Sequence, residues 1–208
     1  MKQKISILGI GGGGQNIVDY LYQNNQHNNL NFTVINSDEQ VLELAKTPNK
    51  YLLTDKLYPK FIYKIFKFFN KKPSLGCGGN VEKGKALALL HKNKFQKLIA
   101  KSDIVVLIST FGGGCGTGAT PVFAETLKQA NIKTIAIVIT PFNWDKLERK
   151  RIASDGIETL KPLVNKLIVL DNQALINELP LDISLKEAWN DINKKIADKF
   201  YDEQSKLA

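Results

Sequence analysis

Residues 104–118 read IVVLISTFGGGCGTG, and this stretch decides the fold. Its first five residues are apolar throughout, and so short a run rich in Val and Ile suits a strand buried on both faces, as in a parallel sheet. The strand then enters a loop with five glycines in seven residues: Gly112, Gly113, Gly114, Cys115, Gly116, Thr117 and Gly118. A purely structural turn needs one or two glycines; a longer run gives up chain entropy so that the backbone can approach another group closely. Amides presented by such a loop ahead of a helix can wrap a polyphosphate. The helix is expected next, with Pro121 in its opening turn.

Outward from this stretch, apolar runs at 5–8, 32–35, 135–139 and 167–170 repeat the strand pattern. Helix-like segments at about 16–23, 39–45, 81–100, 121–129 and 147–160 alternate with them. The order predicts an α/β fold: a Rossmann-like, mostly parallel sheet with helices on both faces. Ser184 and Glu187 have capping-box spacing, and Leu185, Ala188, Trp189, Ile192, Ile196 and Phe200 recur behind them at helical spacing, so one long C-terminal core helix closes the sheet. Length and composition fit a single domain over residues 1–208, with no linker and no repeat.

A second glycine loop follows the first strand: Gly9, Ile10, Gly11, Gly12, Gly13, Gly14, Gln15, Asn16. Gly9, Gly11 and Gly14 satisfy G-x-G-x-x-G, and Asp38 stands where a ribose-binding acid would. Alone this pattern points to a dinucleotide-dependent enzyme, or to a tight turn with no ligand. The loop at 112–118 argues otherwise, because a dinucleotide fold has no use for a second cradle of that size. Residues 79–86 also approach a Walker motif, but Ala86 lacks the hydroxyl that magnesium needs and no strand precedes the segment; the match is read as chance.

The apolar N-terminal run is too short and glycine-broken for a signal peptide, and no stretch is long enough to span a bilayer. Cys77 and Cys115 both sit in glycine-rich loops and suggest no disulfide framework, so a reduced, cytoplasmic protein is expected. The net charge of +9 is largely local: Lys56, Lys60, Lys64, Lys67, Lys71 and Lys72 lie in a window without acids. As a helix, that window sets lysines against Phe61, Ile62, Ile65, Phe66, Phe68 and Phe69. It reads either as a peripheral anchor on an anionic membrane surface or as a helix packed on its own sheet; nucleic acid is not expected as a partner.

The glycines at 112–118 also carry a resemblance: GGGCGTG is similar to the signature loop of the tubulin/FtsZ family, with Cys115 where threonine is usual. The likeness continues in order along nearly the whole chain. Gly11–Asn16 as a loop resembles the family's first phosphate loop, and Asn36-Ser37-Asp38 its Asn-Thr-Asp turn. Leu75-Gly76-Cys77-Gly78-Gly79-Asn80 is similar to the loop that senses the terminal phosphate. The segment around Asp145 resembles a ribose loop where glutamate is usual, and Arg149 matches an arginine near sugar and phosphates. Asn172, Trp189 and Asn193 match the positions that meet the guanine base. A flat platform with amide partners is also what guanine selection requires, although Trp189 by itself reads as plain helix core.

The resemblance implies a GTP/GDP-binding protein with Mg2+, acting as a nucleotide switch or filament component in bacterial cell division or membrane remodelling. Its implied partners are itself or a full-length FtsZ-type protein. A non-polymerising regulator or cap of such a filament is the alternative. In the family a catalytic loop supplied in trans and a second domain follow the long helix; this sequence stops at Ala208, before either. No catalytic residue is therefore assigned and no protein metal ligand is named, and hydrolysis by the chain alone is expected to be slow.

Overall fold

The structure is a computed structural model that describes residues 3–25, 29–55, 74–180 and 182–205. The lysine- and phenylalanine-rich window at 56–72 lies outside the described residues. Among the described residues six strands form one sheet: β1 (Ile5–Ile10), β2 (Leu30–Asn36), β3 (Asn49–Leu52), β4 (Ile104–Thr110), β5 (Lys133–Thr140) and β6 (Lys166–Asp171). Every pairing is parallel, and the order is β3-β2-β1-β4-β5-β6. This is the doubly wound arrangement, with its switch point between β1 and β4.

The helices are α1 (Gly11–Gln23), α2 (Glu39–Glu43), α3 (Val81–Leu90), α4 (Lys92–Ile99), α5 (Gly114–Gln129), α6 (Leu147–Leu160), α7 (Asn172–Asn177) and α8 (Leu185–Ser205). Each central strand feeds both faces of the sheet, because successive side chains alternate. Val105, Leu107, Ala136 and Val138 join Phe95, Phe123 and Leu127 in a core under α3 to α6. Ile104, Val106, Ile135 and Ile137 join Val18, Leu21, Ile192 and Phe200 in the core under α1 and α8. Phe95 and Phe123 stack with ring centroids 4.1 Å apart, tying α4 to α5.

Several boundaries differ from those read along the chain. The glycine loops are not loops throughout: α1 begins at Gly11 and α5 at Gly114, so the glycines form the first turns of their helices. Pro121 is consequently interior to α5 rather than in its opening turn. The helix expected at 81–100 is two helices that meet at His91. There the Tyr51 hydroxyl lies 3.1 Å from His91 Nδ1, and His91 Nε2 lies 2.8 Å from the Thr54 carbonyl oxygen and 3.3 Å from the Thr54 amide nitrogen. Burial holds the imidazole pKa below its ordinary value, which favours the neutral ring. Edge strand β3 and short α7 fall outside the apolar runs and helical segments read along the chain. The capping box is present: Glu187 N–H donates to Ser184 Oγ, while Ser184 N–H donates to Glu187 Oε2.

Candidate functional site

At the carboxyl ends of β1 and β4 the two glycine-rich turns face each other across a cleft of about 370 Å³. Ligands of doubly wound sheets bind in this crevice, where chains leave in opposite directions. The N-termini of α1 and α5 both open there, so two sets of unpaired amides and two positive helix ends converge. Contact between the turns is close. Gly11 has φ +76°, and a Cβ on it would lie 3.1 Å from the Gly116 amide nitrogen.

The cleft brings together Gly11, Gly12, Gly13, Asn36, Asp38, Gly78, Gly79, Gly113, Gly114, Cys115, Gly116 and Arg149 from the residues expected in the site. Their glycines do different things. At Gly13 a Cβ would meet Thr110 Cγ2 at 2.3 Å, and at Gly114 it would meet Asn80 O at 2.7 Å. At Gly12 and Gly113 nothing lies within 4 Å and no positive φ is required. The fold makes no demand for glycine at those two positions, so the space beside their backbone is room for a ligand to approach.

Other expected residues lie behind the cleft. Gly14 is packed so that a Cβ would meet the Ile108 carbonyl oxygen at 2.4 Å, and Gly118 so that it would meet Val81 O at 2.2 Å. Gln15 is buried; it donates to Val41 O at 2.7 Å and accepts from Asn36 Nδ2 at 3.2 Å. Asn16 is exposed on α1. Asn80 Oδ1 caps α3 through Lys83 N–H, and Thr117 Oγ1 accepts from Gly112 N–H. Asp145 holds Arg149 rather than lining the cleft: Arg149 Nη1 donates to Asp145 Oδ1 at 2.7 Å, and Arg149 Nε donates to Gly112 O at 3.3 Å. The guanidinium is thereby fixed on the cleft wall.

Asp38 Oδ1 accepts from the amides of Gln40 and Val41, capping α2. Asn36, whose Oδ1 accepts from Asp38 N–H, steadies the same turn. Farther along the sheet, Asn172 opens α7 and is buried; its Oδ1 has no hydrogen-bond partner among the described residues. An orphaned buried acceptor costs roughly 1–3 kcal/mol and invites a donor. Trp189 is 44% exposed on α8 and meets Phe142 edge-on, while Trp144 stacks on that phenylalanine's ring at 4.3 Å. Asn193 follows one turn after Trp189 and is half-buried.

Ser37, Thr110, Leu75, Gly76 and Cys77 also line the cleft. Ser37, Leu75, Gly76 and Cys77 lie inside motifs quoted above without being named there one by one as site residues, and Thr110 ends β4 just ahead of the glycine run. A helix N-terminus by itself would make Cys115 the more acidic thiol, yet Cys77 is pulled down to about 6 while Cys115 is pushed well above the ordinary range. The hydrogen bond between the two sulfurs is the main cause for both, with Cys115 as donor. Burial opposes the shift at Cys77, whereas Ser37 and the Lys83 charge favour its thiolate.

Fold and cleft define a doubly wound α/β protein in which two helix N-termini open on one cleft. Residues 4–180 match the family model described as Tubulin/FtsZ family, GTPase domain. The chain is 34% identical over 188 residues to the mitochondrial division protein fszB of Dictyostelium discoideum, covering 89% of this chain and 47% of that protein. The FtsZ dimer structure from M. jannaschii aligns with a TM-score of 0.80 and 30% identity over 95% of this chain and 53% of its own. CetZ2 from Haloferax volcanii shares the fold at a TM-score of 0.78 and 19% identity, over 95% of this chain and 57% of its own. The chain therefore belongs to the Tubulin/FtsZ family and carries its GTPase domain. It spans about half the length of these relatives.

Proposed function

We propose that the cleft binds GTP and GDP, with the polyphosphate between the first turns of α1 and α5 and the base toward Asn172, Trp189 and Asn193. The observation that carries this is the room beside Gly12 and Gly113, which the fold leaves free and a phosphate chain would fill. Arg149, fixed by Asp145, supplies a cation on the cleft wall. Asn172 Oδ1 supplies an acceptor for guanine N1–H or N2–H, donors that adenine lacks at those two positions. The remaining site residues named from the sequence, Gly14, Gln15, Asn16, Gly112, Thr117 and Gly118, act through the geometry of these turns. Magnesium would arrive with the nucleotide, held chiefly by phosphate oxygens and water.

Hydrolysis by this chain alone is slow in the same reading. Asp38 is the one carboxylate among the described lining residues, and its Oδ1 is committed to capping α2. The group that activates water would then come from a partner of the family's kind, which makes this chain a nucleotide switch or filament component in division or membrane remodelling. The 56–72 window extends the proposal to peripheral contact with an anionic membrane from the cytoplasmic side, on its sequence alone. Among the described residues no helix is long and apolar enough to cross a membrane.

The test is to identify the nucleotide that co-purifies with the protein and then titrate nucleotide-free protein with GDP, GTP, ATP and NAD. Guanine nucleotides should bind selectively. Equal binding of ATP, or NAD as the preferred ligand, would overturn the assignment.

A further inference from the structure

Each of two loops on the cleft carries one cysteine, and the fold brings the pair together. Cys77 lies in the turn ahead of α3, and Cys115 in the first turn of α5; both line the cleft. Their sulfurs hydrogen-bond to each other and share Ser37, whose Oγ is 3.2 Å from Cys77 Sγ. The backbones are equally close: a Cβ on Gly114, the neighbour of Cys115, would lie 2.8 Å from Cys77 Cβ. A disulfide needs the two cysteine Cβ atoms about 3.5–4.5 Å apart, and closing one would draw the Cys77 turn along the first turn of α5, which it already meets at Gly114. The turn bearing Cys77 has room to adjust, since Gly76, Gly78 and Gly79 all hold positive φ.

We propose that Cys77 and Cys115 are a redox-active dithiol, which a peroxide-class oxidant closes into an intramolecular disulfide across the floor of the cleft, displacing the polyphosphate. The second half of this statement rests on the nucleotide-binding reading above. Lys83 anchors the arrangement by donating from Nζ to the Gly76 carbonyl at 2.8 Å, which sets a positive charge beside the Cys77 turn.

The chemistry balances. The Cys77 thiolate attacks one peroxide oxygen, the O–O bond breaks, and Cys77 sulfenic acid forms with release of hydroxide, which takes up a proton to become water. Cys115 sulfur then attacks Cys77 Sγ; the S–S bond forms, the S–O bond breaks, and the Cys115 proton leaves with the departing hydroxide as a second water. Two thiols are oxidised by two electrons in all, and hydrogen peroxide is reduced to two waters. A dithiol reductant reverses the change by exchange. The bond would hold the 75–80 turn against the start of α5 and replace the Ser37 contact with a rigid link where the phosphates lie.

The experiment uses the whole chain, freed of nucleotide and treated with stoichiometric hydrogen peroxide near neutral pH. Loss of two hydrogens from the intact mass is expected, with a non-reduced peptide joining residues 77 and 115, both reversed by dithiothreitol. Cys115→Ser should instead accumulate a Cys77 sulfenic acid that dimedone traps. Surviving free thiols, disulfide-linked dimers, or Cys77 driven to sulfinic acid without the cross-link would overturn the dithiol. In a second arm, GDP affinity measured before and after oxidation should fall by roughly tenfold or more and recover on reduction. A cross-linked protein with unchanged affinity overturns displacement of the phosphates. If the reduced protein binds no guanine nucleotide, the functional reading fails, while the peptide map still decides the dithiol.

Discussion

Gly12→Ala separates a binding role from a folding role at one position. Gly12 lines the cleft in the first turn of α1, and a Cβ there meets nothing within 4 Å. The new methyl therefore costs the folded protein no steric energy, and alanine's helix preference contributes up to about 1 kcal/mol in its favour. The melting temperature should stay constant or rise by a few degrees, given roughly 2–4 °C per kcal/mol for a domain of this size. With nucleotide bound the same methyl occupies the phosphate's space. Overpacking of that kind costs about 1–3 kcal/mol, or roughly a 5- to 150-fold rise in the GDP dissociation constant. Gly14→Ala is the contrast. Its Cβ would lie 2.4 Å from a carbonyl oxygen of β4, so the fold itself should lose stability, with the melting temperature falling by several degrees. Calorimetry for binding and thermal unfolding for stability, on both variants, give the comparison. Unchanged GDP affinity in a stably folded Gly12→Ala protein would refute the argument that the open space belongs to a ligand.

Asn172→Ala should weaken GDP by roughly 1–3 kcal/mol while costing the apo-protein little, because its Oδ1 has no partner to lose; a large drop in melting temperature without a binding change would refute this. GDP or GTP should alter tryptophan emission through Trp144 and Trp189, and ATP should not; a silent response despite verified binding would remove both indoles from the site. Alkylation of Cys77 should rise as pH increases through about 6 and level off above it, because the thiolate is the nucleophile and its folded pKa is depressed; a midpoint near 9 would refute the assignment of the thiolate to Cys77. Gly118→Ala should destabilise the packing of α3 on α5, by roughly 1–3 kcal/mol in chemical denaturation, since its Cβ would meet Val81 O at 2.2 Å; a neutral effect would contradict that contact. The isolated protein with GTP and magnesium should turn over well below about 1 per second, and a rate at or above that would restore a catalytic role to groups within this chain.

By itself, the sequence determined five of the six described strands and the end of the sheet where the glycine turns cluster. Apolar runs marked β1, β2, β4 and β5 because buried parallel strands must be apolar on both faces, and marked β6 although that edge strand is half-exposed; the glycines at 11–14 and 112–118 marked where two of the strands end. Edge strand β3 was illegible since Asn49 and Lys50 are exposed there and need no apolar run. Tertiary structure alone decided which glycines border open space in the cleft and which serve packing. Gly12 and Gly14 look alike in the sequence, yet one faces open space and the other a carbonyl of β4. It likewise turned Asp145 toward Arg149 and set Lys83 and Ser37 beside Cys77, reversing the expected order of the two thiols. The physical reason is common to these cases: backbone pattern is written in local periodicity, whereas the electrostatics and free volume at a site depend on atoms contributed by elements far apart in the chain.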